Sequence, residues 1–173
     1  MTTIKNLFKF LFFAAAIILS SCIDDVGDPV EYTPEREAAI IEEYLDSLTS
    51  NGYDVDTTGL GVYYAIVDQG DGEYVMPGDS IGIIYIGFFP ESSYWFDSSS
   101  FYASNEDDIW KFTYMSTELI PGFENAISYL NEGTEGIFIV PSSQAYGPNG
   151  SSDGSIPPYS PLAFDIKLVE IYE

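Results

Sequence analysis

The chain has 173 residues, which suits one domain with extensions, and 46% of them are apolar, enough for a substantial core. It has no histidine and a single cysteine, Cys22, which excludes Ser-His-Asp and Cys-His catalysis, His-ligated metals and any intramolecular disulfide. Its formal charge of −23 repels nucleic acid and anionic lipid head groups, so neither is an expected partner.

The first predicted element is a signal segment over residues 1–21. Lys5 and Lys9 form a basic start, and Phe10 to Leu19 is an apolar run of ten residues. That length suits a signal h-region and falls short of a bilayer span. The run leads into Leu19-Ser20-Ser21-Cys22, which resembles the bacterial lipobox. The resemblance implies cleavage before Cys22, lipidation of that cysteine and a membrane anchor made of lipid. Only Arg36, Lys111 and Lys167 would then face 28 carboxylates, a side-chain balance of −25. Ile23-Asp24-Asp25 resembles the export signal of surface-exposed lipoproteins in Bacteroidota. The expected location is the cell envelope, at the outer membrane, with surface display and a periplasm-facing placement both open.

Residues 22–32 read as an acidic tether. An amphipathic helix follows over about 34–50, within an N-terminal unit of residues 33–52. Thr33 is its N-cap and Pro34 its first helical residue. Glu35 and Glu37 suit the positive end of the helix dipole. Ile41, Tyr44, Leu45 and Leu48 share one face, and Asn51-Gly52 stops the helix. After residue 60 the period changes to two. Strands are predicted for Val62–Val67, Ser80–Phe88, Gly133–Val140 and Leu162–Val169. Asp68 to Glu73 reads as a turn, because its carboxylates do not fit a calcium-loop ladder. Phe123 to Leu130, after Pro121-Gly122, reads as a short helix with Phe123, Ile127 and Leu130 on one side. The pattern is α+β: antiparallel strands with one short helix, preceded by an extra N-terminal helix.

Seven short motifs then occur in one order. They are Gly78-Asp79-Ser80 with Tyr85-Ile86-Gly87, Phe96-Asp97-Ser98-Ser99, Trp110-Lys111-Phe112, Leu119-Ile120-Pro121-Gly122-Phe123, Ala145-Tyr146-Gly147, Ile156-Pro157-Pro158 and Leu162-Ala163-Phe164-Asp165. Together they resemble the FKBP-type peptidyl-prolyl isomerases over residues 60–173, and the preceding helix resembles the extension of lipoprotein members from Bacteroidota. The resemblance implies a curled antiparallel sheet wrapped over a short helix, with a proline site between them. It implies no cofactor and no metal. The implied ligands are proline-containing polypeptide clients and macrolides of the tacrolimus and rapamycin type.

Carried over position by position, the resemblance makes Tyr85 and Phe96 wall aromatics and Asp97 the pocket carboxylate. Trp110 stands where the family usually has Phe. Leu119 and Ile120 precede the helix, with the Ile120 N–H on a substrate carbonyl. Phe123 stands on the floor where the family usually has Trp. Tyr146 is the hydroxyl donor, and Ile156 and Phe164 close rim and wall. Asp97, Ile120 and Tyr146 are the implied catalytic residues. Two departures stand out: Phe123 lacks an indole N–H, and Ser155 makes the rim more polar than in many relatives. The segment from Ser98 to Ile109 is longer than in a minimal member and acidic at Glu106-Asp107-Asp108. The expected function is prolyl isomerisation that assists the folding of exported proteins. A binding or holdase module of the same fold with little turnover is the alternative, and a Tyr-rich glycan-binding surface protein is a third, minor reading.

Overall fold

The computed structural model describes residues 30–104 and 107–172. The signal segment, Cys22 and most of the tether lie outside the described residues, as does Glu106. From Glu31 onward the chain forms one unit.

Helix α1 spans Pro34–Ser50. Thr33 is extended, and its hydroxyl accepts the Arg36 N–H at 3.2 Å. Asn51 caps the other end and Gly52 follows at φ +89°, a left-handed turn that costs glycine little. Among the described residues, no helix is long and apolar enough to cross a membrane.

Seven strands follow: β1 (Asp56–Thr57), β2 (Tyr63–Asp68), β3 (Ser80–Phe88), β4 (Trp95–Ser98), β5 (Trp110–Thr113), β6 (Glu135–Val140) and β7 (Leu162–Tyr172). Helix α2 (Pro121–Ile127) lies between β5 and β6 in the chain. The sheet is antiparallel with neighbours in the order β1-β2-β6-β7-β3. Beyond β3 its free edge is shared: β4 pairs with Ile86 to Phe88 and β5 pairs with Ser80 to Ile83. Between those two pairings the Tyr85 N–H would be orphaned, and the Ser99 hydroxyl accepts it at 3.1 Å.

One face of this sheet covers α2. Ile81, Ile83, Phe138, Leu162, Ile166 and Leu168 are fully buried against Phe123, Ala126, Ile127 and Leu130. Gly122 makes the close approach possible, since a Cβ there would stand 2.2 Å from Val140 Cγ1. On the other side α1 packs Ile41 and Leu48 against Ile139, flanked by Tyr44, Leu45 and Tyr63.

The α+β class and the antiparallel sheet follow the sequence reading, and α1 and β3 keep their predicted bounds. Other edges move. β2 starts at Tyr63, because Val62 closes a turn with Thr58 through both of its backbone groups. β6 starts at Glu135, because Gly133 (φ +90°) and Thr134 turn back on Asn131. α2 starts two residues early at Pro121 and ends at Ile127, and Tyr129 and Leu130 continue only as turns bonded to Ala126 and Ile127. β7 runs on to Tyr172, paired with Ser80. The loop after β2 is locked to the loop before β6: Asn131 Nδ2 donates to the Gly70 and Gly72 carbonyls at 2.7 and 3.1 Å, and Thr134 Oγ1 accepts the Gly70 N–H at 2.9 Å.

Candidate functional site

α2 is too short to cover the whole sheet, so an open cleft remains beside it. The cleft measures about 570 Å³. Its floor is the Phe123 ring, aimed up from the first turn of α2. Tyr85 from β3 meets Phe123 edge-on with centroids 5.0 Å apart, and Phe164 from β7 meets it at 4.9 Å. Phe96 from β4 closes on Phe164 at 5.8 Å and 83°, and Trp110 from β5 lies 6.0 Å from Tyr85. Such edge-on contacts suit the ring quadrupoles and hold a rigid aromatic cup. Gly87 leaves room for it, since a Cβ there would lie 2.9 Å from both Phe96 and Phe164.

Polar groups sit around the cup. Asp97 accepts the Tyr85 hydroxyl at 2.8 Å and its own neighbour's N–H, at Ser98, at 2.8 Å. Burial, reinforced by Asp97, pushes the Tyr85 phenol far up. Burial first and Asp97 second also raise Tyr102 and Tyr146, so all three phenols are protonated donors at neutral pH. Tyr146 stands between two short 3₁₀ turns, Ser142–Gln144 and Gly147–Asn149, and is 41% exposed. Ile120 is extended as the N-cap of α2; its carbonyl accepts from Phe123 and Glu124, while its N–H has no protein acceptor among the described residues. That donor and the Tyr146 hydroxyl both belong to residues lining the cleft.

Of the ten residues singled out from the sequence, the cleft lining includes Tyr85, Phe96, Asp97, Trp110, Leu119, Ile120, Phe123, Tyr146 and Phe164. Ile156 is the exception: it is not among the lining residues, is 3% exposed and packs in the core cluster that includes Tyr85, Phe123 and Phe164. Its N–H donates to Ser151 Oγ at 2.8 Å and its carbonyl accepts the Ser151 N–H at 2.9 Å, which closes a tight loop and turns the side chain inward. Ser155 is exposed and bonds to Asp153.

Six lining residues were missed: Tyr102, Thr117, Glu118, Pro121, Ala145 and Leu162. Ala145 and Leu162 stand inside motifs already quoted, and Glu118 directly precedes one. Tyr102 has no such signal beyond its place in the unusually long segment after Ser98.

Residues 72–169 match the sequence model of the family described as FKBP-type peptidyl-prolyl cis-trans isomerase. The chain is 35% identical over 117 residues to the probable FKBP-type peptidyl-prolyl cis-trans isomerase FkpA of Neisseria meningitidis, covering 68% of this chain and 40% of that one. It is 31% identical over 113 residues to the peptidyl-prolyl cis-trans isomerase Fkbp12 of Drosophila melanogaster, covering 65% of this chain and 99% of that one. The crystal structure of FkpA from Escherichia coli superposes with a TM-score of 0.64 at 26% identity, over 79% of this chain and 59% of that one. The chain thus spans less than half of the Neisseria relative and nearly all of the shorter Drosophila one. Helix and sheet agree with these matches, and the chain belongs to the FKBP-type peptidyl-prolyl cis-trans isomerase family.

Proposed function

We propose that this protein accelerates cis–trans rotation of X–Pro peptide bonds, with the proline ring seated in the aromatic cup above Phe123. The observation that carries this reading is the pairing of that cup with two unspent donors, the Ile120 N–H and the Tyr146 hydroxyl. The barrier to rotation, about 18–20 kcal/mol, is the resonance of the planar amide. A twisted amide has lost its charge separation and is less polar than the planar form. Ring faces that exclude water therefore favour the twisted form over the planar one. The two donors hold flanking carbonyls in place while the bond turns. Each gain of about 1.4 kcal/mol is tenfold in rate, so a few such contacts suffice. Nothing in this route needs a proton transfer, so a chain without histidine can carry it.

In this reading the clients are exported polypeptides, and Cys22 bears the lipid that holds the enzyme at the envelope, at the outer membrane. The signal-like residues 1–21 and the lipobox-like Leu19-Ser20-Ser21-Cys22 support that placement. The same cup is suited to tacrolimus-type macrolides, which present a ring and flanking carbonyls.

Residues 23–173 should accelerate isomerisation of an Ala-Leu-Pro-Phe peptide, followed by exchange spectroscopy. Tyr146→Phe should lower kcat/KM about fivefold to tenfold, the worth of one hydrogen bond of about 1 kcal/mol. A parent protein no faster than the uncatalysed reaction would overturn the proposal and leave a binding module. Mass analysis of the envelope-extracted protein should find the lipid on Cys22.

A further inference from the structure

The cleft extends past the cup. Tyr102, carried by the long segment after β4, stands with its ring 4.9 Å from that of Trp110. Trp110 in turn stacks on Phe112 at 4.2 Å and meets Tyr85 at 6.0 Å. A continuous shelf of rings thus leads from the proline cup to solvent, where Tyr102 is 53% exposed.

Two carboxylates line the same cleft, Asp97 and Glu118. The donors that reach Asp97 are neutral, the Tyr85 hydroxyl and the Ser98 N–H, and its charge is felt at Tyr102. Glu118 is exposed, and among the described residues no ion pair includes it. A third carboxylate, Asp153, bears on Tyr146 through its charge. Hydrogen bonds from Ser151 and Ser155 pull its pKa down to about 2, so it is charged at any working pH.

Among the described residues, no basic side chain lines the cleft. The cations of the described residues are engaged elsewhere. Arg36 pairs with Glu91, Lys167 lies 3.6 Å from Glu135, and Lys111 lies 4.0 Å over the Tyr172 ring. The cleft therefore joins exposed aromatic faces to negative charge that the protein itself leaves without a counter-ion. Ring faces and carboxylates are the two groups that recognise a lysine or arginine side chain.

We propose that the Tyr102–Trp110 shelf, in the cleft that Asp97 and Glu118 also line, receives a basic side chain next to the proline, so that the preferred substrates are proline-containing segments rich in lysine or arginine. This inference rests on the reading of the cup as a proline site. Tyr102 and Glu118 are then its specificity-determining residues, one by its ring and the other by its charge.

The test compares three peptides that differ next to proline: Ala-Lys-Pro-Phe, Ala-Leu-Pro-Phe and Ala-Glu-Pro-Phe, with a matching set varied after proline. The Lys peptide should exceed the Glu peptide about tenfold in kcat/KM for at least one of the two positions. That ratio should shrink towards one in Glu118→Gln, and when salt is raised from about 0.01 to 1 M, which contracts the screening length from about 30 to 3 Å. Tyr102→Ala should also lower the ratio, whereas Tyr102→Phe should preserve it. Dissociation constants for the same peptides, read from tryptophan fluorescence, should show the same order. Loss of turnover on all peptides with the Lys preference kept in binding would overturn the isomerase reading alone. Lys and Glu peptides within twofold of each other in turnover and in binding, at both positions, would overturn this inference alone.

Discussion

At the scale of the residue, Asp97 is the pivot of the site. Its carboxylate accepts the hydroxyl of Tyr85, which is itself only 3% exposed. Asp97→Ala strands that buried phenol, at a cost of about 1–3 kcal/mol. The urea midpoint should fall accordingly, and kcat/KM should fall with it as Tyr85 is freed to leave its place in the ring cluster. An unchanged midpoint would mean that Tyr85 finds another acceptor. Phe123 makes the complementary point. Two rings meet it edge-on at 5.0 and 4.9 Å, so the phenylalanine floor is held between Tyr85 and Phe164. Phe123 offers no indole N–H there, whereas the Ile120 N–H at the N-cap of α2 has no protein acceptor among the described residues.

At the scale of the element, α1 acts as a brace behind the site. The Glu37 carboxylate accepts both the backbone N–H and the hydroxyl of Ser142, the latter at 2.7 Å. Ser142 opens the turn that presents Tyr146. The neighbouring Arg36 pairs with Glu91, in the loop between β3 and β4 that leads to Phe96 and Asp97. One turn of α1 thus holds the roots of two loops that carry site residues. Glu37→Ala leaves the largely buried Ser142 without its acceptor, which costs about 1–3 kcal/mol. The melting temperature should drop, KM should rise more than kcat falls, and Glu37→Gln should rescue part of both by keeping an acceptor oxygen. The seating of α2 is more brittle. Gly122→Ala would place a methyl 2.2 Å from Val140 Cγ1, so helix and strand must separate. Overpacking of this kind costs about 1–3 kcal/mol. Calorimetry should show that loss, and the displaced Phe123 should weaken substrate affinity.

At the scale of the whole molecule, charge dominates. With 28 carboxylates and five basic side chains in the full sequence, self-repulsion opposes folding at neutral pH. Asp165 adds a local share. Half-burial in β7 raises its pKa, and Glu135 across the β6–β7 pairing raises it further. Asp165 therefore binds its proton more tightly folded than unfolded. Its contribution is favourable below its unfolded-state pKa and is lost as pH rises through its folded-state pKa. Melting temperature should increase as pH falls from neutrality towards the folded-state pKa of Asp165. Asp165→Asn should be the more stable protein at neutral pH and lose that advantage under mild acid. Thermal melts across pH, repeated in high salt, check both statements.

The sequence by itself determined those parts whose signals are local. Thr33, Pro34, the Ile41–Leu48 spacing and Asn51-Gly52 specify α1 from cap to stop, and the isoleucine- and aromatic-rich run from Ile81 to Phe88 specifies β3. The motif order also placed nine residues that the cleft brings together. The tertiary structure alone decided what depends on contacts across the chain. β1, β4 and β5 are two to four residues long and exist because a longer neighbour offers them an edge. Ile156 turns inward because Ser151 closes its loop. Tyr102 joins the site because β4 and β5 share one edge of β3, and its ring then meets that of Trp110 at the start of β5. Glu37 meets Ser142 across 105 positions of sequence, a pairing that no local propensity encodes and only the packed fold supplies.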